Sequence, residues 1–500
     1  LAHAVVRLKW VFAGLSQILE VVQTFLKITD WSQWEDPFRL TMDAYWKYQA
    51  EKEKKLYAIF DAFAQNNGHQ NISDARYVNA LKLFLSGVSP LEHAAFQGYA
   101  KVGRQFSGAG ARVACQMQAI DELRHSQTQQ HAMSHYNKHF NGLHDAAHMH
   151  DRVWFLSVPK SFFDDARSAG PFEFLTAISF SFEYVLTNLL FVPFMSGAAY
   201  NGDMATVTFG FSAQSDEARH MTLGLEVIKF ILEQHEDNVP IIQQWIDKWF
   251  WRGFRLLSLV GMMMDYMLPN KVMSWAEAWE VYYEQNGGAL FKDLERYGIR
   301  PPKYQDIANA AKHHVSHQTW STFYQYSQAT NFHTWMPDEN EMAWLSEKYP
   351  DTFDKYYRPR FEYLNKEQSE GRRFYNATLP QLCQVCQIPT IFTEKDEPTK
   401  FSIRQTEYKG ERYHFCSDGC CDIFNNEPEK YIQAWLPVHQ IYQGNCGGAD
   451  VETVVSEYYH IKPGADNFEY LDSPDYRRWL SIKGQAPGNN NADSSGQDAA

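Results

Sequence analysis

One five-residue motif occurs twice in this chain and constrains its fold more than any other feature. The motif, Asp-Glu-x-Arg-His, lies at residues 121–125 and 216–220. Residues three apart on an α-helix share a face, so each copy presents a Glu and a His together. Two such helices facing each other offer two carboxylates and two imidazoles to a pair of metal ions. A solvated helical turn is the alternative, but it has no reason to repeat four polar positions. The bare Glu-x-x-His spacing at Glu411/His414 and Glu457/His460 lacks the added Asp and Arg.

Carboxylate-bridged metal pairs in helical bundles need one further Glu from each of two other helices. Glu92 lies on an apolar segment 30 residues before Glu122, and Glu183 lies in an apolar helix 34 residues before Glu217. An apolar setting leaves a carboxylate few other partners, so both are predicted ligands. The alternatives are a helix-start role for Glu92 just after Pro90, and a hydrogen-bonded buried carboxyl at Glu183.

Helical periodicity surrounds all four of these segments, and the sequence predicts a mainly α protein built on a ferritin-like four-helix bundle with additional helices. The predicted bundle helices are residues 80–107, 111–140, 172–200 and 204–234. Residues 1–28 and 41–66 read as further helices, and residues 51–55 are expected on the solvated side of the second. The predicted domains are a helical domain over 1–372, a small α+β module over 373–440, and an extension over 441–500 with a disordered tail.

Cysteines cluster in the predicted C-terminal module, whose strand-like stretches are 391–393 and 401–403. The pairs Cys383/Cys386 and Cys416/Cys420 have a spacing that suits a closed, structural tetrahedral Zn²⁺ site. The stretch 413–431 resembles a YHS-type metal-binding module, and this resemblance favours Cys420 over the adjacent Cys421. Free buried thiols are the alternative.

A histidine stripe follows the first motif, at His131, His135 and His139 and then at His144, His148 and His150. Such a stripe can bind a metal. No carboxylate is interleaved on that face, so the sequence favours an amphipathic continuation of the helix without a ligand role.

Composition limits the binding partners and the cellular compartment that we expect for this protein. The net charge of −14 over 500 residues argues against nucleic acid or an anionic membrane. Seven cysteines, without a secreted disulfide pattern or a visible signal peptide, favour the cytoplasm. The apolar run 256–268 is too short for a membrane span and contains Asp265. The chain has neither a dinucleotide fingerprint nor a ferredoxin-type cysteine pattern, so any redox reaction at the metal pair would need electrons from a separate protein.

The order and spacing of the six ligands resemble the hydroxylase large subunit of bacterial multicomponent monooxygenases, over about residues 30–370. With its cysteine module the chain is most similar to the phenol hydroxylase branch. The resemblance implies a di-iron centre that activates O₂ and hydroxylates phenols to catechols. It assigns Glu92, Glu122 and His125 to one iron and Glu183, Glu217 and His220 to the other.

The same resemblance implies roles for residues around the ligands. Asp121 and Asp216 are expected to accept a hydrogen bond from a ligand His, and Arg124 and Arg219 to neutralise those carboxylates. Thr187 matches a family position for proton management or oxygen positioning. The remaining implied positions are Asn188 and Gln214 for water access and effector coupling, Val88 as a gate, and Phe162, Phe180 and Phe191 as walls of the substrate pocket.

The resemblance also implies an assembly: smaller beta and gamma subunits in a dimer of heterotrimers, an effector protein, and a reductase that draws electrons from NAD(P)H. Three alternatives remain open: a hydroxylase of the same family acting on toluene or benzene, one acting on alkenes, and a helical metal-binding scaffold without oxygenase activity. A ribonucleotide reductase radical subunit is disfavoured because Gln129 stands where the radical Tyr is expected.

Overall fold

The computed structural model of the chain describes residues 26–28, 30–72, 74–140, 143, 150, 153–326, 332, 334–370, 380–390, 404–437 and 440. These residues are mainly helical with one two-stranded hairpin, which confirms the predicted fold class. They divide into two compact units, residues 1–144 with 162–312 and residues 145–161 with 313–500. The predicted domain boundary at 372, the extension 441–500 and the helix 1–28 fall largely or wholly outside the described residues and stay predictions.

The helices of the first unit begin with α1 (Met42–Gln65) and supply both copies of the motif. In order they are α2 (Ala75–Gln105), α3 (Ala109–Tyr136), α4 (Trp154–Ser168, which begins in the second unit), α5 (Pro171–Leu175), a π-helix (Thr176–Tyr184), α6 (Asn188–Tyr200), α7 (Met204–Gln234), α8 (Asn238–Met262), a second π-helix (Met263–Met267), α9 (Trp275–Trp279), a third (Glu280–Gln285), α10 (Asn286–Leu294) and α11 (Gln305–Ala311).

The second unit carries shorter helices and the hairpin. Its elements are α12 (Val315–Tyr326), α13 (Glu339–Lys348), a π-helix (Phe353–Tyr357), α14 (Arg358–Ser369), β1 (Arg404–Tyr408), β2 (Glu411–Phe415), α15 (Asp418–Asn426) and α16 (Pro428–Tyr431). Short 3₁₀ turns lie at Trp31–Gln33, Gly68–Asn71 and Glu295–Tyr297.

The predicted bundle is present as α2, α3, the α5–α6 segment and α7, with bounds within a few residues of those expected. Helix α2 runs unbroken through Pro90, as the predicted helix over residues 80–107 does. Glu92 therefore lies in mid-helix, and the helix-start alternative for it is wrong.

The segment 172–200 is not the continuous α-helix that we predicted. It widens into the π-helix 176–184, which contains Glu183, and Thr187 forms a turn before α6 begins. The parts before and after the turn are bent by 42°. Helix α7 packs closely against this π-helix, because a Cβ added at Gly224 would lie 2.6 Å from the backbone carbon of Ser179. Irregular helical turns of this kind occur often at functional sites.

The hairpin pairs β1 and β2 in antiparallel register, with Arg404 opposite Phe415. Its two-residue turn uses Lys409 (φ 54°) and Gly410 (φ 80°), both in the left-handed region that tight hairpins require. The strand-like stretches predicted at 391–393 and 401–403 lie outside the described residues.

Among the described helices, none is by itself long and apolar enough to cross a membrane. The bent pair Pro171–Tyr184 and Asn188–Tyr200 reaches that length and composition together, but most of its side chains are buried in the protein core.

Candidate metal centre

The structure brings all six predicted ligands together inside the first unit. Helix α2 supplies Glu92, α3 supplies one Glu–His pair, the π-helix supplies Glu183, and α7 supplies the other pair; all six side chains are buried. Two triads can each hold an ion, with ligand atoms within 4.8 Å of one another: Glu92, Glu122 and His125, and Glu122, Glu183 and His220. Glu217 joins the second triad, since its Oε2 lies 3.5 Å from His220 Nδ1.

Glu122 lies between the two triads. Its Oε1 is 3.3 Å from Nδ1 of His220, and its Oε2 is 3.7 Å from Nδ1 of His125. One carboxylate thus faces both histidines with different oxygens. The resemblance assigned Glu122 to one iron and implied bridging carboxylates without naming them; this geometry makes Glu122 a candidate bridge between two ions.

The two motif copies hold each other's histidines. His125 Nε2 lies 3.2 Å from Asp216 Oδ2, and His220 Nε2 lies 3.2 Å from Asp121 Oδ2. An ionised carboxylate only accepts hydrogen bonds, so each Nε2 carries the proton and each Nδ1 keeps its lone pair for a metal. The sequence predicted an Asp partner for each ligand His, and the structure places that partner on the opposite helix.

Cations surround these two aspartates. Arg124 Nη1 lies 3.0 Å from Asp121 and 3.4 Å from Asp216, and Arg219 forms an ion pair with Asp121. Burial raises the pKa of Asp216, but the bonds from His125 and Lys52 outweigh it and hold this pKa well below its usual value. Asp216 therefore stays ionised as an acceptor.

Helix α1 packs polar residues against these two aspartates. None of them was assigned a role at the site by the sequence analysis. Tyr45 donates to Asp121 at 2.7 Å, and the Gln49 amide donates to Asp121 at 2.8 Å and to Asp216 at 2.7 Å. Lys52 reaches Asp216 at 2.6 Å with 13% of its side chain exposed, so our placement of this residue on the solvated side is wrong. The spacing of four and three between these residues marks one helix face and was the available signal.

Neutral donors orient the ligand carboxylates from within the bundle. Gln118 Nε2 donates to Glu183 at 3.0 and 3.1 Å, and Tyr99 donates to the same carboxylate at 3.2 Å. Gln129 donates to Glu92 at 3.1 Å, which gives a structural reason for Gln at this position. These three residues were also missed, because an isolated polar residue in a helix has no motif around it.

The electrostatics of the six candidate ligands favour the binding of positively charged ions. Burial raises the pKa of Glu183 well above its usual value, and the neighbouring Glu217 and Glu122 carboxylates raise it further. Burial likewise raises the pKa of Glu122 to about 7. Within the described residues, His125 Nδ1, His220 Nδ1 and Glu217 Oε2 are buried without a hydrogen-bond partner. Four carboxylates offset the charge of two divalent ions, and together with two neutral imidazoles they suit iron.

The predicted polar residues near the ligands lie at the π-helix and its partner helix. Thr187 is buried at the turn after Glu183, whereas Asn188 and Gln214 are partly exposed. Neither of these two makes a side-chain hydrogen bond within the described part of the chain. Val88 lies one helical turn before Glu92 and is partly exposed. Their assigned roles stay predictions.

The three predicted pocket phenylalanines are all buried in aromatic or apolar packing. Phe162 contacts Phe182 and Trp249 with ring centroids 5.3 and 5.4 Å away, and Phe180 stacks on Tyr184. Phe191 packs in a core cluster with Met195 and Ala213. These contacts are those of core residues, and the role in a substrate pocket stays a prediction.

A second metal-capable cluster lies in the second unit. Cys383, Cys386, Cys416 and Cys420 are buried, with sulfur atoms within 4.8 Å of one another. The Sγ atom of Cys416 is 3.6 Å from those of Cys386 and Cys420. Four thiolates on a tetrahedral Zn²⁺ lie about 3.8 Å apart, so this cluster fits a structural zinc ion.

The start of α15 decides between the two adjacent cysteines. Ser417 caps this helix and accepts a hydrogen bond from the Cys420 backbone. Successive helical residues point about 100° apart, so only one of the pair can face the other thiols. Cys420 does, whereas Cys421 is partly exposed and receives a hydrogen bond from Asn425.

Two family models match parts of this chain. Residues 17–235 match the Methane/Phenol/Alkene Hydroxylase family, and residues 393–435 match the YHS domain, which includes Cys416 and Cys420 but not the first cysteine pair. The chain is 80% identical to the oxygenase component of phenol 2-monooxygenase from Pseudomonas sp. (strain CF600), covering 92% of this chain and 89% of that protein.

Two further relatives, one matched by sequence and one by structure, support the same family. The alpha subunit of the oxygenase component of an alkene monooxygenase system from Xanthobacter autotrophicus is 27% identical, covering 90% of each chain. The crystal structure of xenon-pressurised phenol hydroxylase from Pseudomonas sp. OX1 superposes with a TM-score of 0.84 at 89% identity, covering 91% of this chain and 93% of that one. The chain therefore belongs to the methane/phenol/alkene hydroxylase family, whose members bind a di-iron centre.

Proposed function

We propose that this chain is the oxygenase component of a multicomponent phenol monooxygenase and hydroxylates phenols to catechols. The observation that carries the proposal is Glu122, whose two oxygens face the histidines of both motif copies, at 3.3 and 3.7 Å. It joins two metal-capable triads into one dinuclear site, in a chain that closely matches the oxygenase component of a phenol 2-monooxygenase.

Two iron ions would be held by Glu92, Glu122 and His125 and by Glu183, Glu217 and His220. When bound, they supply the redox chemistry that splits O₂: one oxygen atom enters the ring and the other leaves as water, with two electrons and two protons from outside. Zinc would be held by the four buried cysteines and would fix the small module rather than react.

The residues of this chain hold and shield the centre. Gln118 and Tyr99 fix the Glu183 carboxylate, and burial of all six ligands excludes water from an oxidising site. Thr187, which is buried one turn beyond Glu183, would hold or pass a proton at its hydroxyl. Asn188 and Gln214, being partly exposed, suit water access and effector coupling.

The electrons and the regulation come from other components. Smaller beta and gamma subunits, an effector protein and an NAD(P)H-dependent reductase complete the proposed system. The phenol assignment rests on the 80% identity over most of both chains.

The test is metal analysis and turnover of the assembled system with ¹⁸O₂ and phenol. About two iron ions and one zinc per chain, with one labelled oxygen in the catechol, support the proposal. The Glu183→Gln variant should lose iron and catechol formation and keep zinc. Glu226→Gln is the matched control, since Glu226 lies on α7 in an ion pair with Lys229 outside the ligand set.

Two outcomes would overturn parts of the proposal. Higher kcat/KM for toluene, benzene or an alkene than for phenol would change the substrate. If the purified protein contains zinc but no iron, and Glu183→Gln changes neither metal content nor catechol formation, the chain is a helical metal-binding scaffold without oxygenase activity.

A further inference from the structure

The histidine stripe after the first motif meets a carboxylate that the sequence did not reveal. His131 and His135 lie four residues apart, one turn from each other, near the end of α3. Asp61 approaches them from α1, and ligand atoms of all three residues lie within 4.8 Å of one another. The missing carboxylate comes from another helix, which is why no interleaved acid marks it in the sequence.

The spacing of the two imidazoles fits a shared ion. Their Nε2 atoms are 3.3 Å apart. Two nitrogens bound to one tetrahedral ion, each at about 2.05 Å, lie about 3.3 Å apart. A direct hydrogen bond between the two rings gives a similar distance. A metal-binding measurement therefore has to distinguish a shared ion from a hydrogen bond.

The neighbouring rings support the position of these histidines. Tyr57 meets His131 edge-on with centroids 4.9 Å apart, and Phe60 stacks on it at 5.8 Å. On the other side, the buried ring of His69 lies parallel to that of His135 at 6.3 Å. Neither nitrogen of His69 has a hydrogen-bond partner among the described residues, although the ring is only 2% exposed.

We propose that Asp61, His131 and His135 form a third metal site, separate from the di-iron ligands and the cysteine cluster. Two imidazole nitrogens and one carboxylate oxygen suit a divalent transition cation, with Zn²⁺ as the best match. Asp61 is exposed and the histidines are partly exposed, so the fourth position is open to water. The bound ion would tie α1 to α3, the two helices that also meet at Asp121.

The test is equilibrium dialysis of the full-length, iron- and zinc-loaded protein against Zn²⁺, with elemental analysis. We expect one additional zinc per chain and a higher Tm in the presence of Zn²⁺. The variants Asp61→Asn and His131→Ala should each weaken this binding by at least about tenfold. Iron content and the zinc of the cysteine cluster should not change, so the result is independent of the proposed oxygenase activity.

The control is His235→Ala, which removes an exposed histidine elsewhere in the same unit and should bind zinc as the parent does. Asp61→Asn alters an exposed side chain, so this variant keeps the test valid if His131→Ala misfolds. No additional zinc, or equal uptake by the parent, Asp61→Asn and His235→Ala proteins, would overturn the site and leave a hydrogen bond between the two histidines.

Discussion

The imidazole of His125 donates from Nε2 to Asp216 across 3.2 Å, although these residues lie on different helices and 91 positions apart. His220 makes the reciprocal bond to Asp121 at the same distance. Each motif copy therefore supplies the acceptor that orients the other copy's ligand. This exchange gives the Asp beside each Glu a role: it accepts the hydrogen bond of the other copy's histidine.

Replacing Asp216 with Asn removes the charged acceptor for His125 while keeping the side-chain shape. We expect the affinity for iron and the rate of catechol formation to fall about 10- to 100-fold, and iron content to fall with them, because the imidazole loses the partner that fixes its orientation and basicity. Circular dichroism should stay unchanged. Asp237→Asn, at an exposed site, should retain full iron; equal iron content in both variants would show that Asp216 does not support the ligand.

The ion pair between Lys52 of α1 and the buried Asp216 can be tested by substitution. Its Nζ lies 2.6 Å from Asp216, and replacing it with Met leaves that buried carboxylate with fewer cations. We expect Lys52→Met to lower the free energy of unfolding by about 3 kcal/mol in urea titrations. The matched control is Lys54→Met on the same helix, where the pair with Glu51 is exposed and should contribute much less to the free energy of unfolding. Similar losses in both variants would contradict this account.

Gly224 sets the approach of α7 to the π-helix. Gly224→Ala places a Cβ 2.6 Å from backbone of Ser179, so one of the two ligand-bearing segments must shift. We expect lower iron occupancy and a lower Tm, since Glu183 and Glu217 lie on these segments. Gly288→Ala is the control, because an added Cβ there has nothing within 4 Å. A Gly224→Ala protein with normal iron and Tm would mean that the interface relaxes without moving the ligands.

The adjacent cysteines at the start of α15 predict different zinc contents. Cys420→Ser should lose the zinc ion and destabilise the module, whereas Cys421→Ser should keep it, because Cys420 alone of the pair is buried with the other three thiols. Elemental analysis of the two purified variants checks this. Zinc loss in Cys421→Ser with retention in Cys420→Ser would reverse the assignment.

The sequence alone predicted the four bundle segments and the six candidate ligands that the structure brings together, because both depend on local spacing. Residues three or four apart share a helix face wherever that helix lies. The two motif copies and the apolar setting of Glu183 were therefore enough to predict those ligands. The four clustered cysteines were found in the same way, apart from the choice at α15, where a resemblance rather than spacing favoured Cys420.

Only the tertiary structure decided which faces meet. The exchange between Asp216 and His125, the position of Glu122 between both triads, and the inward turn of Lys52 depend on packing between helices distant in sequence. The π-helix at Glu183, which packs against Gly224 of α7, escaped prediction because a periodic pattern predicts only regular helices. Asp61 was missed for a related physical reason: a periodic pattern describes one helix, whereas a binding site is assembled from several.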